Sequence, residues 1–135
     1  MIKKVAVAAV LFCAAVFVAR ALIVPAAPET GQASFYGGYF HGRKMANGER
    51  FDRLSDSCAH RKHPFGTRLR VTLAAPVVER RPRHQPQGEG RSVTCVVRDR
   101  GPFVPGRIVD LSLAGARALG IEKAGVAEVS VSVMR

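Results

Sequence analysis

Arg68-Leu69-Arg70-Val71-Thr72-Leu73 alternates basic or polar residues with apolar ones. That two-residue period belongs to a half-exposed β-strand, whose successive side chains point to opposite faces of a sheet. Ser92 to Val97 reads as a second strand of β-branched residues, and Ile108-Val109-Asp110-Leu111 as a third. Val126 to Met134 alternates again, with Val129, Val131 and Val133 on one face. Upstream, Ala33-Ser34-Phe35-Tyr36 is a short strand-like run closed by Gly37-Gly38. Only Ser112 to Leu119 reads as helix: Ser112 suits the N-cap, Ala114, Ala116 and Ala118 favour helix, and Gly120 suits the stop. His41 to Glu49 is turn-rich around Asn47-Gly48, and Pro76 to Gly90 reads as a long, exposed, basic loop. Short strands with one small helix predict a mainly β fold, a compact barrel.

The chain of 135 residues has room for one ordinary domain, and its 47% of hydrophobic residues exclude general disorder. Its 21 basic residues against 10 acidic ones favour polyanionic partners: nucleic acid, anionic membrane surface or acidic cell-wall polymer. Trp is absent, so any aromatic ligand platform is built from the seven Phe and two Tyr.

Compartment is read at the start. Met1-Ile2-Lys3-Lys4 is basic, Val5 to Ala19 is uncharged and apolar, and Ala19-Arg20-Ala21 offers the small-x-small pattern of signal-peptidase cleavage. Residues 1–21 therefore read as a secretory signal, or as an uncleaved N-terminal anchor, which would be the only membrane contact. Lipid attachment at Cys13 is not expected, since bulky Phe12 precedes it. Residues 22–30, with Pro25 and Pro28, read as a linker, and residues 31–135 as the domain. Without Lys3, Lys4 and Arg20 the remainder still carries a net charge of +8. Two cysteines remain, Cys58 and Cys95. An even count in an exported domain suggests a disulfide, the alternative being two buried thiols on neighbouring strands. Closing those 38 residues would stabilise the fold by about 4 kcal/mol in the chain-entropy model. With no C-x-x-C and four His away from ligand spacing, neither a metal site nor a cofactor is expected.

Val97-Arg98-Asp99-Arg100-Gly101-Pro102-Phe103 carries an acid out of an apolar strand into a Gly-Pro turn. Two flanking arginines suggest a structural ion pair, whereas an acid catalyst needs burial or a second group poised against it. His60 precedes a turn at Pro64 and Gly66; an imidazole there could orient or protonate a partner, or simply lie on the surface. His63 and His84 sit among basic and turn residues and suggest no chemistry. Asp110 could be the second carboxylate that sugar hydrolysis normally requires, but strand acids commonly brace loops, and that structural role is the one assigned.

Taken together, several segments resemble the rare lipoprotein A (RlpA) domain: Gly31-Gln-Ala-Ser-Phe-Tyr-Gly37, Phe40 to Asp52, and Ala59-His60 with Pro64-Phe-Gly-Thr67. Asp99-Arg-Gly-Pro-Phe103 and Gly106-Arg-Ile-Val-Asp-Leu-Ser112, then Ala116 to Gly120, continue it in order. The resemblance implies a six-stranded double-psi β-barrel with one or two short helices, akin to expansins and barwin-like proteins. It implies an exported enzyme of the periplasm or cell envelope, an endolytic lytic transglycosylase acting on peptidoglycan glycan strands. Such an enzyme cleaves between N-acetylmuramic acid and N-acetylglucosamine without water and leaves a 1,6-anhydro ring. Through the matched motifs it assigns catalysis to Asp99 and His60, and a groove to Tyr36, Asn47, Glu49 and Arg100. No nucleic-acid partner is implied, and a monomer is expected. The Pro76–Gly90 loop is longer than usual in such domains, and no glycan-binding repeat follows the domain before Arg135. The competing expectation is an expansin-like module that binds wall polysaccharide without cutting it.

Overall fold

The computed structural model describes residues 26–74 and 90–135. The signal or anchor segment, Cys13, the start of the linker and the basic loop up to Glu89 lie outside the described residues.

Six strands close into a barrel: β1 (Glu29–Phe35), β2 (Ser57–Ala59), β3 (Arg68–Leu73), β4 (Ser92–Asp99), β5 (Arg107–Leu111) and β6 (Ala127–Val133). Their order around it is β1-β5-β2-β4-β3-β6, and a single α-helix, α1 (Leu113–Leu119), follows β5. The expected strands and helix are present. The first strand starts earlier than expected: Glu29 and Thr30, assigned to the linker, pair with Val131 and Ser130 of β6. The sequence reading had no counterpart for β2. Ser57-Cys58-Ala59 has no β-branched or aromatic residue, and it is a strand because β4 and β5 pair with it on both sides.

The alternation in β3 does what its period predicts. Leu69 and Val71 are fully buried, while Arg68 and Arg70 face solvent. Leu69 lies opposite Cys95 and Val133, and Val71 opposite Val93 and Val131. Val97, Val109, Leu111 and Val129 complete the interior, each such side chain contributing about 1.5–3 kcal/mol by leaving water. Helix α1 buries Ala116 and Leu119 against this core. Ser112 caps it by accepting from the Gly115 N–H, and Gly120 ends it at φ +82° with its N–H on the Ala116 and Arg117 carbonyls. Cys58 and Cys95 are disulfide-bonded, with Cα atoms 5.8 Å apart, joining β2 to β4 inside the barrel. The alternative of two free thiols is thereby set aside.

Two of the six strand contacts are parallel, β1–β5 and β2–β4, and both break register once. Opposite Gln32-Ala33, β5 passes from Arg107 to Val109 and skips Ile108; opposite Cys58-Ala59, β4 passes from Val97 to Asp99 and skips Arg98. An extra residue reverses the face of everything beyond it. Val97 points into the core and strict alternation would send Asp99 inward as well; the bulge sends it outward. In β5 the bulge lets both Ile108 and Val109 be buried and turns Asp110 outward. Ser34, Asp110, Ala59 and Asp99 then form one transverse row of register partners on β1, β5, β2 and β4.

Candidate active site

Asp99 sits at the end of that row, beneath two loops. Tyr36, one residue past β1, donates its hydroxyl to Asp99 Oδ2 at 2.7 Å. The backbone N–H groups of Ala46 and Arg100 donate to Oδ1 at 2.8 and 2.9 Å. Three donors and no cation complement a carboxylate through hydrogen bonds alone. The ion pair expected from the flanking arginines is not formed. The Arg98 guanidinium bonds Asp56 at 2.6 Å and lies 3.6 Å from Glu49. Arg100 donates to the carbonyls of His60 and His63 and stacks 4.0 Å over Phe65. Both guanidinium groups are thus taken up by other partners.

The loop that supplies the Ala46 N–H is a hairpin-like turn. The Met45 N–H bonds the Glu49 carbonyl, Gly48 takes φ +91°, and the Asn47 side chain accepts from the Glu49 N–H. The Asn47 N–H donates to the Arg98 carbonyl, fastening the turn to the end of β4. Asn47 thus shapes the loop over Asp99, and Glu49 faces Arg98. Tyr36 is wedged between Phe40 and Phe51, with ring centroids 5.3 and 4.6 Å away. Burial, then the Asp99 hydrogen bond and the charges of Asp99 and Asp110, push its hydroxyl far above the ordinary phenol range. It remains a proton-bearing donor.

His60 is buried, which corrects the surface-histidine alternative. Its backbone N–H bonds the Asp99 carbonyl at 3.2 Å, so the two assigned catalytic residues are neighbours. Their side chains diverge: no hydrogen bond joins the imidazole to the Asp99 carboxylate among the described residues. Nδ1 of His60 accepts from the N–H groups of Lys62 and His63, and Nε2 lies 3.1 Å from Glu29 Oε2. The two donors at Nδ1 assign the ring proton to Nε2, facing Glu29. Burial foremost, with His63 and Arg61 nearby, holds His60 below the usual histidine range against the opposing pull of Glu29.

Glu29, His60 and His63 bring three possible ligand atoms within 4.8 Å of one another. The hydrogen bonds argue against a metal there. A neutral histidine ligating through Nε2 must carry its proton on Nδ1, where two N–H groups already point. The cluster is a histidine–carboxylate contact that orders the loop from Lys62 to Gly66.

Asp110 lies on the same face as Asp99, with the methyl of Ala59 between them in the row. Ser34 donates to its Oδ1, and Oδ2 has no partner among the described residues. That bond ties β5 to β1. Burial raises its carboxyl above the usual range; Ser34 and Arg107 oppose the shift and the Asp99 charge adds to it. The sequence reading missed Glu29, hidden in an apparent linker, and the Ala46 N–H, which no side-chain motif announces. Phe103 and Tyr39 are 79% and 68% exposed, the latter packed on Phe40 with Arg43 over its ring.

The family profile described as "Lytic transglycolase" matches residues 28–131. The chain is 44% identical over 105 residues to the probable endolytic peptidoglycan transglycosylase RlpA of a Synechocystis strain, covering 78% of this chain and 29% of that one. The endolytic peptidoglycan transglycosylase RlpA of Neisseria meningitidis serogroup A is 41% identical over 103 residues, or 76% of this chain and 38% of that one. The probable enzyme of Treponema pallidum is 40% identical over 130 residues, covering 96% and 36%. The chain thus spans between a quarter and about two fifths of the length of the curated relatives it matches. Among solved structures, the Streptomyces papain inhibitor superposes with a TM-score of 0.58 at 21% identity, over 84% of this chain and 99% of that one. At that identity the likeness speaks for the fold alone.

Proposed function

The chain belongs to the lytic transglycolase family, with an RlpA-type double-psi barrel, and from that premise we propose that it is an endolytic peptidoglycan transglycosylase. The observation that carries the reading is the outward-facing Asp99, held by three hydrogen-bond donors, with Tyr39 and Phe103 exposed. A glycan strand laid over this face would stack sugar rings on the aromatics and set a glycosidic oxygen near the carboxyl group. The reaction transfers the proton of the muramic 6-hydroxyl, in net terms, to the leaving oxygen. C1 exchanges its bond to that oxygen for one to O6, and no water enters. Asp99 is the group proposed to move that proton.

His60 acts through position. Its backbone N–H fixes the Asp99 carbonyl and its ring orders the loop whose carbonyls hold Arg100. Tyr36 orients Asp99 directly, Asn47 shapes the loop supplying the Ala46 N–H, and Glu49 holds Arg98 aside. The disulfide favours an oxidising compartment, which for this substrate is the cell envelope. The work requires neither cofactor nor metal, and the partner is the glycan strand itself, taken by a monomer.

The test is mass spectrometry of intact sacculi and of amidase-stripped glycan after incubation with the protein and with Asp99→Asn. The reading predicts 1,6-anhydro-N-acetylmuramic ends from the wild type and their loss in the variant. Retained binding to both materials with no cleavage by the wild type would favour the expansin-like alternative.

A further inference from the structure

We infer that Asp110 is a second catalytic carboxyl group, which delivers the proton to the leaving glycosidic oxygen while Asp99 takes the proton of the attacking 6-hydroxyl. The inference rests on the transglycosylase reading above and divides its proton transfer between two residues.

The geometry comes first. Asp110 and Asp99 are both register partners of Ala59, one on each side, so they stand two strands apart on the same face. Ordinary strand spacing puts their Cα atoms about 10 Å apart. Between them stands Ala59, the smallest side chain that still defines a face, its methyl fully covered. Two carboxyl groups on one face can flank a reacting sugar with the attacking oxygen between them. Each residue owes its direction to its own bulge, at Arg98 and at Ile108, and bulges of this kind re-aim side chains next to active sites.

The two environments then assign the roles. Asp99 receives three donors, so both its oxygens act as acceptors, which suits it to take a proton from the 6-hydroxyl. Asp110 receives Ser34, and its Oδ2 has no partner among the described residues. The groups facing it are Arg107 on its own strand, Asp99 from β4 and Tyr36 from the end of β1, while β2 presents only Ala59. Their balance with burial leaves Asp110 holding its proton to higher pH than an ordinary aspartate. Unequal environments of this kind separate an acid from a base in a pair of carboxyl groups.

The step balances without water or any further reagent. The bond from C1 to the leaving oxygen breaks, its electron pair stays on oxygen, and that oxygen takes the Asp110 proton. O6 forms the new bond to C1, and its proton passes to Asp99. Asp99 then bears the proton and Asp110 the charge. Return of the proton to Asp110 resets the pair.

The experiment follows release of anhydro ends from amidase-stripped glycan against pH, for the wild type, Asp110→Asn and Ser34→Ala. Asp110→Asn is expected to lose at least about a hundredfold in rate while still binding glycan and losing no thermal stability. Ser34→Ala removes a donor that favours the ionised form, so it should carry the alkaline limb of the rate profile to higher pH. Asp110→Asn turning over at the wild-type rate would overturn the inference, as would an unmoved alkaline limb in Ser34→Ala. Should Asp110→Asn fail to fold, the Ser34→Ala limb decides alone. A wild type that releases no anhydro ends would instead bring down the transglycosylase reading itself, before any variant is compared.

Discussion

The barrel has two unlike halves. Around β3 and β6 the strands pair antiparallel and in unbroken register, and core residues alternate with solvent-facing ones. Around β1–β5 and β2–β4 the pairing is parallel and each ladder is bulged once. The regular half keeps Leu69, Val71, Val129 and Val131 inside. The bulged half turns two carboxyl groups outward that strict alternation would have buried. The core thus draws on both halves, whereas the proposed site lies only where the strands depart from their period.

Substitutions in the two halves should separate core from site. The largest effect belongs to Asp99→Asn, expected to slow anhydro-end release by about a thousandfold with little change in melting temperature. A melting temperature that falls in step with activity would break the contrast. In the other half, Leu69→Ala removes a fully buried side chain and should destabilise by about 2–5 kcal/mol in denaturant titration, leaving the rate per folded molecule unchanged. Replacing Cys58 and Cys95 with alanine frees β2 from β4 and should remove about 2–4 kcal/mol, read by the same titration. Tyr36→Phe deletes one of three donors to Asp99 and should cost about tenfold in rate, with glycan binding retained.

The smallest effects lie in pH dependence, where the two halves of the site oppose each other. His60 is held below 6.5 in the folded protein, so below that pH the unfolded chain binds the extra proton first and stability falls with acidification. Asp110 is raised above 3.8, so the folded protein retains a proton that the unfolded chain has lost, and stability falls as pH rises through that window. Asp110→Asn should therefore be relatively more stable than the wild type at neutral pH, and that advantage should vanish below 3.8. Melting temperatures of His60→Gln and Asp110→Asn across pH check both signs.

The same division governs what could be read from sequence. Arg68 to Leu73 and Val126 to Met134 announced their faces because an antiparallel strand with one wet side writes its period into its residues. The cap at Ser112 and stop at Gly120 were legible for an equally local reason. Ser57-Cys58-Ala59 was not, since a three-residue strand buried among neighbours takes its conformation from them. Asp99 and His60 were found through motifs, but not what holds them. The arginines beside Asp99 suggested an ion pair, and only the structure shows that Asp56, Glu49 and two backbone carbonyls hold them instead. Asp110 read as a structural strand acid because its relation to Asp99 runs through Ala59, distant in sequence from both. Glu29 was lost behind Pro28, which ends the linker directly before the first strand begins.

The central claim is that the bulged half holds the glycan. It is tested most directly by mapping amide shifts in Asp99→Asn as a peptide-free glycan tetrasaccharide is added. The account predicts that the largest changes gather at Ser34, Ala46, Ala59, Arg100 and Phe103, with β3 and β6 little affected. Changes centred on Arg68–Leu73 and Ala127–Val133, or none at saturating glycan, would contradict it.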